Sequence, residues 1–387
     1  MQFVDLGAQQ KRIRDRLEKN ILAVLDHGRY IMGPEIQLLE EKLASYVGVN
    51  FAVACASGTD ALLLALMAYN VGPGDAVFTT PFTFIATGEV ISLLGATPVF
   101  VDVDPQTFNI DSSKLERVIA ALHSKSQDLC PLPRTAAAGS LKPRGIVAVD
   151  LFGLPADYRQ LKTIAEKNHL FIIEDAAQSF GAEFHGKKAC ALTEIGCTSF
   201  FPAKPLGCYG DGGMCFTDDQ NLCASMRSIR IHGQGTHKYD NIRTGINGRM
   251  DTIQAAILLS KLDIFPEEVE LRQAVAQRYR ELLLNLDSIT VPHVPEDVKS
   301  VWAQFSILAT DEKHRLRLQT KLKEAHVPTA IYYPKPLHLQ TAYRTLGYVE
   351  GDFPVSEDCS RRILSLPMHP YLTLAEQEQI AQAIARA

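Results

Sequence analysis

The fold is decided by Ile173-Glu174-Asp175-Ala176-Ala177-Gln178-Ser179, followed by Ser199-Phe200-Phe201-Pro202-Ala203-Lys204-Pro205-Leu206-Gly207. The apolar run at 171–173 predicts a buried strand, so the acidic pair falls at its carboxyl end, where open α/β sheets bind their ligands. Lys204 stands between two prolines, and a residue that precedes proline is disfavoured from the α-helical region. We therefore expect Asp175 to face a crevice and Lys204 to reach inward from an extended loop.

This combination of an acid and a loop lysine is what a pyridoxal 5'-phosphate (PLP) enzyme requires. The lysine amine forms the Schiff base with the cofactor, and a carboxylate keeps the pyridine nitrogen protonated so that the ring can accept electrons. Lys204 and Asp175 are the candidates for these catalytic roles. Each has an ordinary explanation when taken alone, as a surface lysine and a helix cap, but the two together favour the cofactor.

The length and composition indicate a globular protein with two domains. A chain of 387 residues exceeds the size at which single cores stop growing, about 250 to 300 residues. We place an N-terminal segment and a large PLP-binding domain at 1–250, and linking helices with a small C-terminal domain at 251–387. Hydrophobic residues make up 46% of the chain and the formal net charge is -5, so nucleic acid is not an expected partner.

Targeting, membrane and metal-binding patterns are not evident in the sequence. The N-terminus becomes charged within its first residues, which predicts a cytoplasmic protein without a signal peptide. The most apolar helix candidate, 61–69, is far short of the roughly 20 residues that span a bilayer. The eight cysteines form no C-x-x-C pair, so we expect buried thiols in a reducing compartment and no metal site.

Apolar runs that alternate with helical patterns predict an α/β fold with a mostly parallel seven-stranded sheet. The last two strands are joined by so short a glycine-rich segment that one of them can run antiparallel. The segment 123–144, with three prolines and a run of alanines, predicts a long mobile surface loop without a catalytic role. The predicted strands are Phe51–Cys55, Ala76–Thr79, Pro98–Val101, Ile146–Val149, Leu170–Ile173, Thr198–Phe201 and Met214–Phe216.

The C-terminal part predicts a small α+β domain. Strands are expected at Ser300–Leu308 and Thr329–Tyr333, and helices at about 311–325, 356–363 and 374–386. Helical patterns at 251–262 and from 266 to about 286 link this part to the large sheet. A further helix is expected to begin near Gln9.

Several other positions suit the rest of the cofactor. Gly58-Thr59 follows a strand and opens a helix, where backbone N–H groups, a hydroxyl and the helix dipole favour a phosphate. Ser199 can donate to the same phosphate, and Gln178 to the phenolic edge of the cofactor. Either Phe82 or Phe84 can stack on the pyridine ring. Each of these residues also has an ordinary alternative. Gly58-Thr59 can be a plain helix N-cap, Ser199 a strand residue and Gln178 a partner of local backbone groups. Phe82 and Phe84 can pack in the core.

Motifs spread along the chain resemble the DegT/DnrJ/EryC1/StrS family of sugar aminotransferases. The resemblance covers nearly the whole chain and implies the aspartate aminotransferase-like (type I) fold of PLP-dependent enzymes. The sequence around Lys204 is most similar to the WbpE/WlbC group, which aminates UDP-2-acetamido-3-keto-glucuronic acid with glutamate as the donor. The motifs are Ser57-Gly58-Thr59-Asp60-Ala61-Leu62, Glu174-Asp175-Ala176-Ala177-Gln178-Ser179, the block from Ser199 to Gly213, Asn247-Gly248-Arg249-Met250 and Tyr332-Tyr333-Pro334-Lys335-Pro336-Leu337-His338.

The resemblance also implies a role for each site residue. Lys204 is the Schiff-base lysine and Asp175 lies against the pyridine nitrogen. The resemblance implies a homodimer with shared active sites, in which Asn247 and Arg249 reach the neighbouring subunit's site. It also implies that the product is an amino sugar for a surface polysaccharide such as O-antigen. The other implied cofactor contacts are Gly58, Thr59, Phe84, Gln178, Ser199 and Asn247, and the implied sugar contacts are Arg249, Tyr332, Tyr333 and His338.

Other functions stay open from the sequence alone. Some members of the family are dehydratases with histidine at the lysine position, and Lys204 argues against that activity here. A non-enzymatic sensor of the same fold is favoured only where the lysine or the aspartate is missing. The sugar, the aminated carbon and the choice of UDP or dTDP rest on the resemblance.

Overall fold

The computed structural model describes residues 1–124, 129–138 and 141–387. None of the helices in these ranges is long and apolar enough to cross a membrane. Within the same ranges, three 3₁₀ helices lie at Leu151–Gly153, Leu337–Leu339 and Thr341–Leu346. The α-helices are α1 (Leu6–His27), α2 (Pro34–Val47), α3 (Gly58–Ala68), α4 (Ala86–Leu93), α5 (Ser112–Ser124), α6 (Arg134–Ala138), α7 (Tyr158–Asn168), α8 (Gln220–Ile229), α9 (Thr252–Leu262), α10 (Phe265–Leu283), α11 (Glu312–Glu324), α12 (Pro354–Arg362) and α13 (Leu374–Ala385).

The strands of the described residues form one large and two small sheets. The main sheet has the order β1-β9-β8-β5-β4-β2-β3, and the small sheets have the orders β10-β12-β13 and β11-β6-β7. The strands are β1 (Phe51–Cys55), β2 (Asp75–Thr79), β3 (Thr97–Phe100), β4 (Lys142–Val149), β5 (Phe171–Asp175), β6 (Glu183–Phe184), β7 (Lys187–Lys188), β8 (Ile195–Ser199), β9 (Gly213–Thr217), β10 (Ile289–Thr290), β11 (Val298–Lys299), β12 (Phe305–Ala309) and β13 (Ile363–Leu366).

The main sheet confirms the predicted α/β fold with seven mostly parallel strands. β9 runs antiparallel to both β1 and β8, while the other neighbouring strands are parallel. Helices cover both faces, as parallel sheets require. Val53 and Cys55 of β1 share a core with residues of α3 and α8, whereas Ala52 and Ala54 share another core with residues of α2 and α9.

The carboxyl ends of β5 and β8 meet at one edge of the main sheet. Asp175 pairs with Cys197 in the parallel ladder, and Ser199 ends β8 two residues later. The sequence had predicted that β5 ends at Ile173 and that the next strand covers 198–201. β5 instead continues through Asp175 and β8 begins at Ile195, because a backbone ladder does not depend on the polarity of the side chains that flank it.

The C-terminal sheet differs from its prediction. The segment 329–333 contributes only an isolated bridge between Ala330 and Ser365, so it lies beside β13 and is not a strand of its own. β12 begins at Phe305 and not at residue 300, because the N–H groups of Val301 and Gln304 donate to the carbonyls of Gly153 and Phe152. The predicted domain boundary near residue 250 stays a prediction.

The segment 123–144 was predicted to be a long surface loop, and this is wrong for 123–124, 134–138 and 142–144, whereas 129–133 have no helix or strand. It contains α6, and β4 begins at Lys142, which pairs with Asp75 of β2. Leu132 and Ala136 are buried in the core that α5 and α7 share, so apolar burial holds this part of the segment. Residues 125–128 and 139–140 lie outside the described residues, and the prediction of mobility is not tested.

A side chain beyond the main sheet caps a helix of the C-terminal part. Asp102 is buried, and its Oδ1 accepts hydrogen bonds from the Ser356 N–H (2.9 Å) and hydroxyl (2.6 Å). Its Oδ2 accepts from the Val355 N–H (3.0 Å). Phe353, the N-cap position of α12, provides no side-chain cap of its own. The unpaired N–H groups of the first turn of α12 are therefore satisfied by Asp102.

Candidate active site

Asp175 is a buried carboxylate at the end of β5. Its Oδ2 accepts a hydrogen bond from the Thr87 hydroxyl at 2.7 Å, and its Oδ1 accepts a longer one from the Ala177 N–H at 3.3 Å. Burial raises the pKa of Asp175 above its usual value, while the two hydrogen bonds and the nearby Lys204 act in the opposite direction. The carboxylate is thus held in a low-dielectric position at the edge where the sequence predicted it.

Glu174, the other acid of the predicted pair, does not face the crevice. Successive side chains of a strand point to opposite faces, and Glu174 accepts hydrogen bonds from the N–H groups of Cys190 (2.6 Å) and Leu192 (3.0 Å). Burial, and next the neighbouring Asp150 carboxyl, raise the pKa of Glu174 well above its usual value. Glu174 therefore supports the loop before β8 and takes no part in the site.

Lys204 reaches the same region from the loop after β8. Its backbone N–H donates to the Phe201 carbonyl at 2.9 Å, which tightens the loop between the two prolines. The surrounding protein desolvates the ammonium and lowers the pKa of Lys204 to about 8, against the opposing effect of the Asp175 carboxylate. At pH 7 a pKa of about 8 leaves roughly a tenth of the amine neutral, far more than the ordinary pKa of 10.5 would leave, which suits a nucleophile or a proton acceptor.

The start of α3 and the end of β8 form a narrow cradle. A Cβ atom on Gly58 would lie 2.6 Å from Ser199 Cβ, so only glycine allows this approach. Ser57 caps the helix by accepting from the Asp60 N–H at 3.0 Å, whereas the N–H groups of Gly58 and Thr59 belong to the first turn and have no acceptor within the helix. The structure thus brings Gly58, Thr59 and Ser199 together in an arrangement that suits an anion.

Gln178 is held in one orientation by two contacts. Its Oε1 accepts a hydrogen bond from the Phe152 N–H at 2.8 Å, and its Nε2 donates to the Tyr333 hydroxyl at 3.1 Å. Because a backbone N–H can only donate, the oxygen of the amide must face Phe152. The second hydrogen of Nε2 has no acceptor among the described residues and can serve another group. Sequence reasoning did not identify Phe152, whose left-handed φ of 60° aims its N–H at the amide.

The two candidate aromatic residues have different environments. Phe82 is fully buried and packs edge-on against Phe152. Phe84 is 54% exposed, and its ring centroid lies 6.3 Å from that of Tyr333. Of the two, Phe84 is thus the ring presented to the open part of the site, and Phe82 is a core residue.

The structure does not bring His338 to this group. The imidazole is buried, its Nε2 lies 3.0 Å from Glu357 Oε1, and its ring packs edge-on against Phe353. Burial lowers the pKa of His338. The position of His338 therefore does not support its predicted contact with the sugar. Tyr332 lies nearer, with its ring centroid 5.8 Å from that of Tyr333.

Asn247 and Arg249 border the start of α3. The carbonyl of Gly248, which stands between them, accepts a hydrogen bond from the Ala56 N–H at 2.9 Å. The Asn247 side chain is exposed. The Nε atom of Arg249 is buried and has no acceptor among the residues that the structure describes. The predicted reach of this segment toward another subunit stays a prediction.

The comparisons with known proteins agree with this geometry. The sequence model of the DegT/DnrJ/EryC1/StrS aminotransferase family matches residues 11–385. The UDP-2-acetamido-2-deoxy-3-oxo-D-glucuronate aminotransferase of Pseudomonas aeruginosa is 46% identical over 384 residues, which cover 99% of each protein. A crystal structure of a DegT/DnrJ/EryC1/StrS aminotransferase from Brucella abortus is 50% identical, with a TM-score of 0.92 and coverage of 99% of this chain and 98% of that one. The Bacillus subtilis protein ntda, solved with bound pyridoxamine phosphate (PMP), is 28% identical, with a TM-score of 0.85 and coverage of 99% and 82%.

The residues at the crevice fit the PLP on which the family depends. The phosphate would be held by the first turn of α3 and by Ser199, where N–H groups lack intrahelical acceptors. The free Nε2 hydrogen of Gln178 suits the phenolic oxygen, and the buried Asp175 carboxylate suits the ring nitrogen. The half-exposed Phe84 ring suits a stacked heteroaromatic ring.

Proposed function

Because the chain belongs to the DegT/DnrJ/EryC1/StrS aminotransferase family, we propose that it transfers an amino group from glutamate to a nucleotide-linked 3-keto sugar. The proposed acceptor is UDP-2-acetamido-2-deoxy-3-oxo-glucuronate, and the 3-amino product serves surface polysaccharide synthesis. The name of the Pseudomonas relative supports the choice of sugar. The observation that supports the proposal most directly is that one edge of the main sheet brings together Asp175, Lys204 and the cradle of Gly58 and Ser199.

Each site residue has a proposed task. Bound PLP supplies an electron sink, and Asp175 keeps the ring nitrogen protonated so that the sink is effective. Lys204 moves a proton between the substrate carbon and the cofactor, and its pKa of about 8 supports both the acceptance and the release of that proton near neutral pH. Gly58, Thr59 and Ser199 bind the phosphate, and the task of each is deduced from the cradle geometry.

The proposed homodimer shares its active sites. Tyr30, Ile31 and Met32 are 50%, 48% and 36% exposed and form an apolar run on the surface of a single chain. Ile31 forms a bridge with Asp251, two residues from Arg249. An exposed apolar run beside a residue predicted to serve the neighbour's site supports a subunit interface at this position.

An assay with glutamate and a panel of nucleotide keto-sugars tests the reaction. The panel contains UDP-2-acetamido-3-keto-glucuronate, the same sugar without its carboxylate, and 4-keto deoxysugars on UDP and dTDP. We expect 2-oxoglutarate and the 3-amino uronate from the first compound at the highest kcat/KM. Preference for a 4-keto or dTDP-linked sugar would support the alternative, a related aminotransferase acting at another carbon or nucleotide. No amino transfer to any keto-sugar would contradict the proposed activity.

Mixed dimers test the shared site. Homodimers of Lys204→Ala and of Arg249→Ala should each be nearly inactive. Co-refolding of equal amounts makes about half of the dimers mixed, and each mixed dimer has one intact site if Arg249 serves its neighbour. Activity should then return to roughly a quarter of the wild-type value. A mixture that stays inactive despite demonstrated subunit exchange would place Lys204 and Arg249 in the same chain's site.

A further inference from the structure

The Asp175 carboxylate is fixed by a chain of two buried hydroxyl groups that sequence reasoning did not identify. Thr87 Oγ1 donates to Asp175 Oδ2 at 2.7 Å, and Thr83 Oγ1 lies 3.3 Å from Thr87 Oγ1. Thr83 and Thr87 are 2% and 1% exposed, so water has little access to these bonds. Neither threonine was predicted to take part in the site, although Thr83 stands between the two candidate aromatic residues Phe82 and Phe84.

The chemistry of the groups sets the direction of the chain. An ionised carboxylate can only accept hydrogen bonds, so the single hydroxyl proton of Thr87 is committed to Asp175. Thr87 Oγ1 can then only accept from Thr83, which must donate along the chain. A hydrogen bond that a neutral hydroxyl donates to a buried charge is shorter and stronger than one between neutral groups. The 2.7 Å bond between Thr87 and Asp175 is therefore the stronger of the two.

The backbone joins this chain to the aromatic side of the site. Thr87 lies in the first turn of α4, and its N–H donates to the Phe84 carbonyl at 3.3 Å. The residue that presents the exposed ring and the residue that holds the acid are thus on adjacent turns of one short segment.

We propose that Thr87, supported by Thr83, is a positioning residue that holds the Asp175 carboxylate in the plane required for its contact with the ring nitrogen of the cofactor. The proposal rests on the proposed function of Asp175. The hydroxyl fixes one oxygen of the carboxylate and leaves lone pairs free on both. Without it, Asp175 keeps only the 3.3 Å bond from the Ala177 N–H among the described residues, and the carboxylate can turn away from the ring.

Binding of two cofactor analogues to the cofactor-free protein tests the proposal without any turnover. PMP lacks the aldehyde, so its affinity reports non-covalent contacts only, including the contact of the ring nitrogen. Its 1-deaza analogue has a carbon in place of that nitrogen and cannot make this contact. The ratio of the two dissociation constants therefore isolates the interaction with Asp175, and calorimetry measures both.

Thr87→Val should weaken PMP binding by about tenfold, the equivalent of one hydrogen bond to a charged group, and should leave the deaza analogue unchanged. Thr87→Ser retains the hydroxyl and should restore the wild-type ratio. Thr83→Val should change the ratio in the same direction by a smaller factor. Thr79→Val is the matched control, since the Thr79 hydroxyl is equally buried but donates to the Val147 carbonyl, away from Asp175.

The outcomes separate this proposal from the one on which it rests. Equal weakening of both analogues by Thr87→Val, or no weakening of either, would overturn the positioning role of Thr87. Failure of Thr87→Ser to restore the ratio would do the same. Asp175→Asn should abolish the discrimination between the analogues, and if it does not, the assignment of Asp175 to the ring nitrogen fails independently of Thr87.

Discussion

Replacement of Gly58 by alanine should open the phosphate cradle. Gly58 has no positive φ that would strain another residue, and alanine is a better helix former than glycine. Local propensity therefore predicts a slightly more stable protein. The contact with Ser199 predicts weaker binding of the cofactor, because the new Cβ would lie 2.6 Å from Ser199 Cβ and 3.2 Å from Ser199 Cα.

The size of the effect follows from this overlap. Ordinary contacts begin at 3.4 Å, so α3 and the end of β8 must separate by roughly 0.8 Å. Hydrogen bonds to the phosphate have an optimum near 2.9 Å and weaken steeply beyond about 3.2 Å, so the two elements can no longer hold one anion together. Loss of one hydrogen bond to a charged group costs about 1.5 to 3 kcal/mol, or roughly 10- to 100-fold in affinity.

Calorimetric titration of the cofactor-free protein with PMP measures this loss. Gly72→Ala is the matched control, because a Cβ on Gly72 meets no atom within 4 Å. The double variant Gly58→Ala, Ser199→Gly removes the overlapping Cβ and should bind as the single variant Ser199→Gly does. A folded Gly58→Ala protein that binds PMP within about twofold of wild type would refute the cradle of α3 and Ser199.

Three further predictions concern Lys204 and Asp175. In the cofactor-free protein, Lys204 should react with an amine-modifying reagent with a midpoint near pH 8, because burial disfavours its ammonium form. Peptide mapping measures the reaction at each pH, and a midpoint near the ordinary value of 10.5 would contradict this prediction. Asp175→Asn removes the carboxylate that favours the ammonium form of Lys204, so the reaction midpoint of Lys204 should move to lower pH. An unchanged midpoint would show that the two groups are too far apart to interact. The PLP-loaded protein should have a long-wavelength absorption band that borohydride removes, with the label on Lys204; a label on another lysine would reassign the attachment site.

The central chemistry was predictable because local rules determine it. An apolar run ends at an acid, and two prolines keep Lys204 off a helix, so both residues were placed at one sheet edge without knowledge of any contact. The loop is a turn and not the extended segment that was predicted. The sequence also allowed for an antiparallel strand after β8, because the glycine- and proline-rich connection at 200–212 has no pattern of a crossover helix. These features depend on residues that are close in sequence.

The features that were missed depend on partners that are distant in sequence. Thr87 looks like any helix threonine until its partner Asp175, 88 positions later, is placed beside it. His338 was assigned to the sugar, but a short 3₁₀ turn gives no periodicity from which to tell that its imidazole faces Glu357 in the interior. The bridge at Ala330 was mistaken for a strand because its apolar residues suit either arrangement.

The cap that Asp102 provides to α12 makes the two parts of the molecule thermodynamically interdependent. The acceptor stands beside the main sheet, and the donor N–H of Val355 lies 253 positions later in the chain. If the C-terminal part unfolded alone, Asp102 would lose its donors from Val355 and Ser356 and keep those from the Val103 N–H and Lys114, and α12 would lose its only N-terminal cap among the described residues. Partial melting is thus penalised on both sides of the contact, so the cap couples the unfolding of α12 to that of the region beside the main sheet.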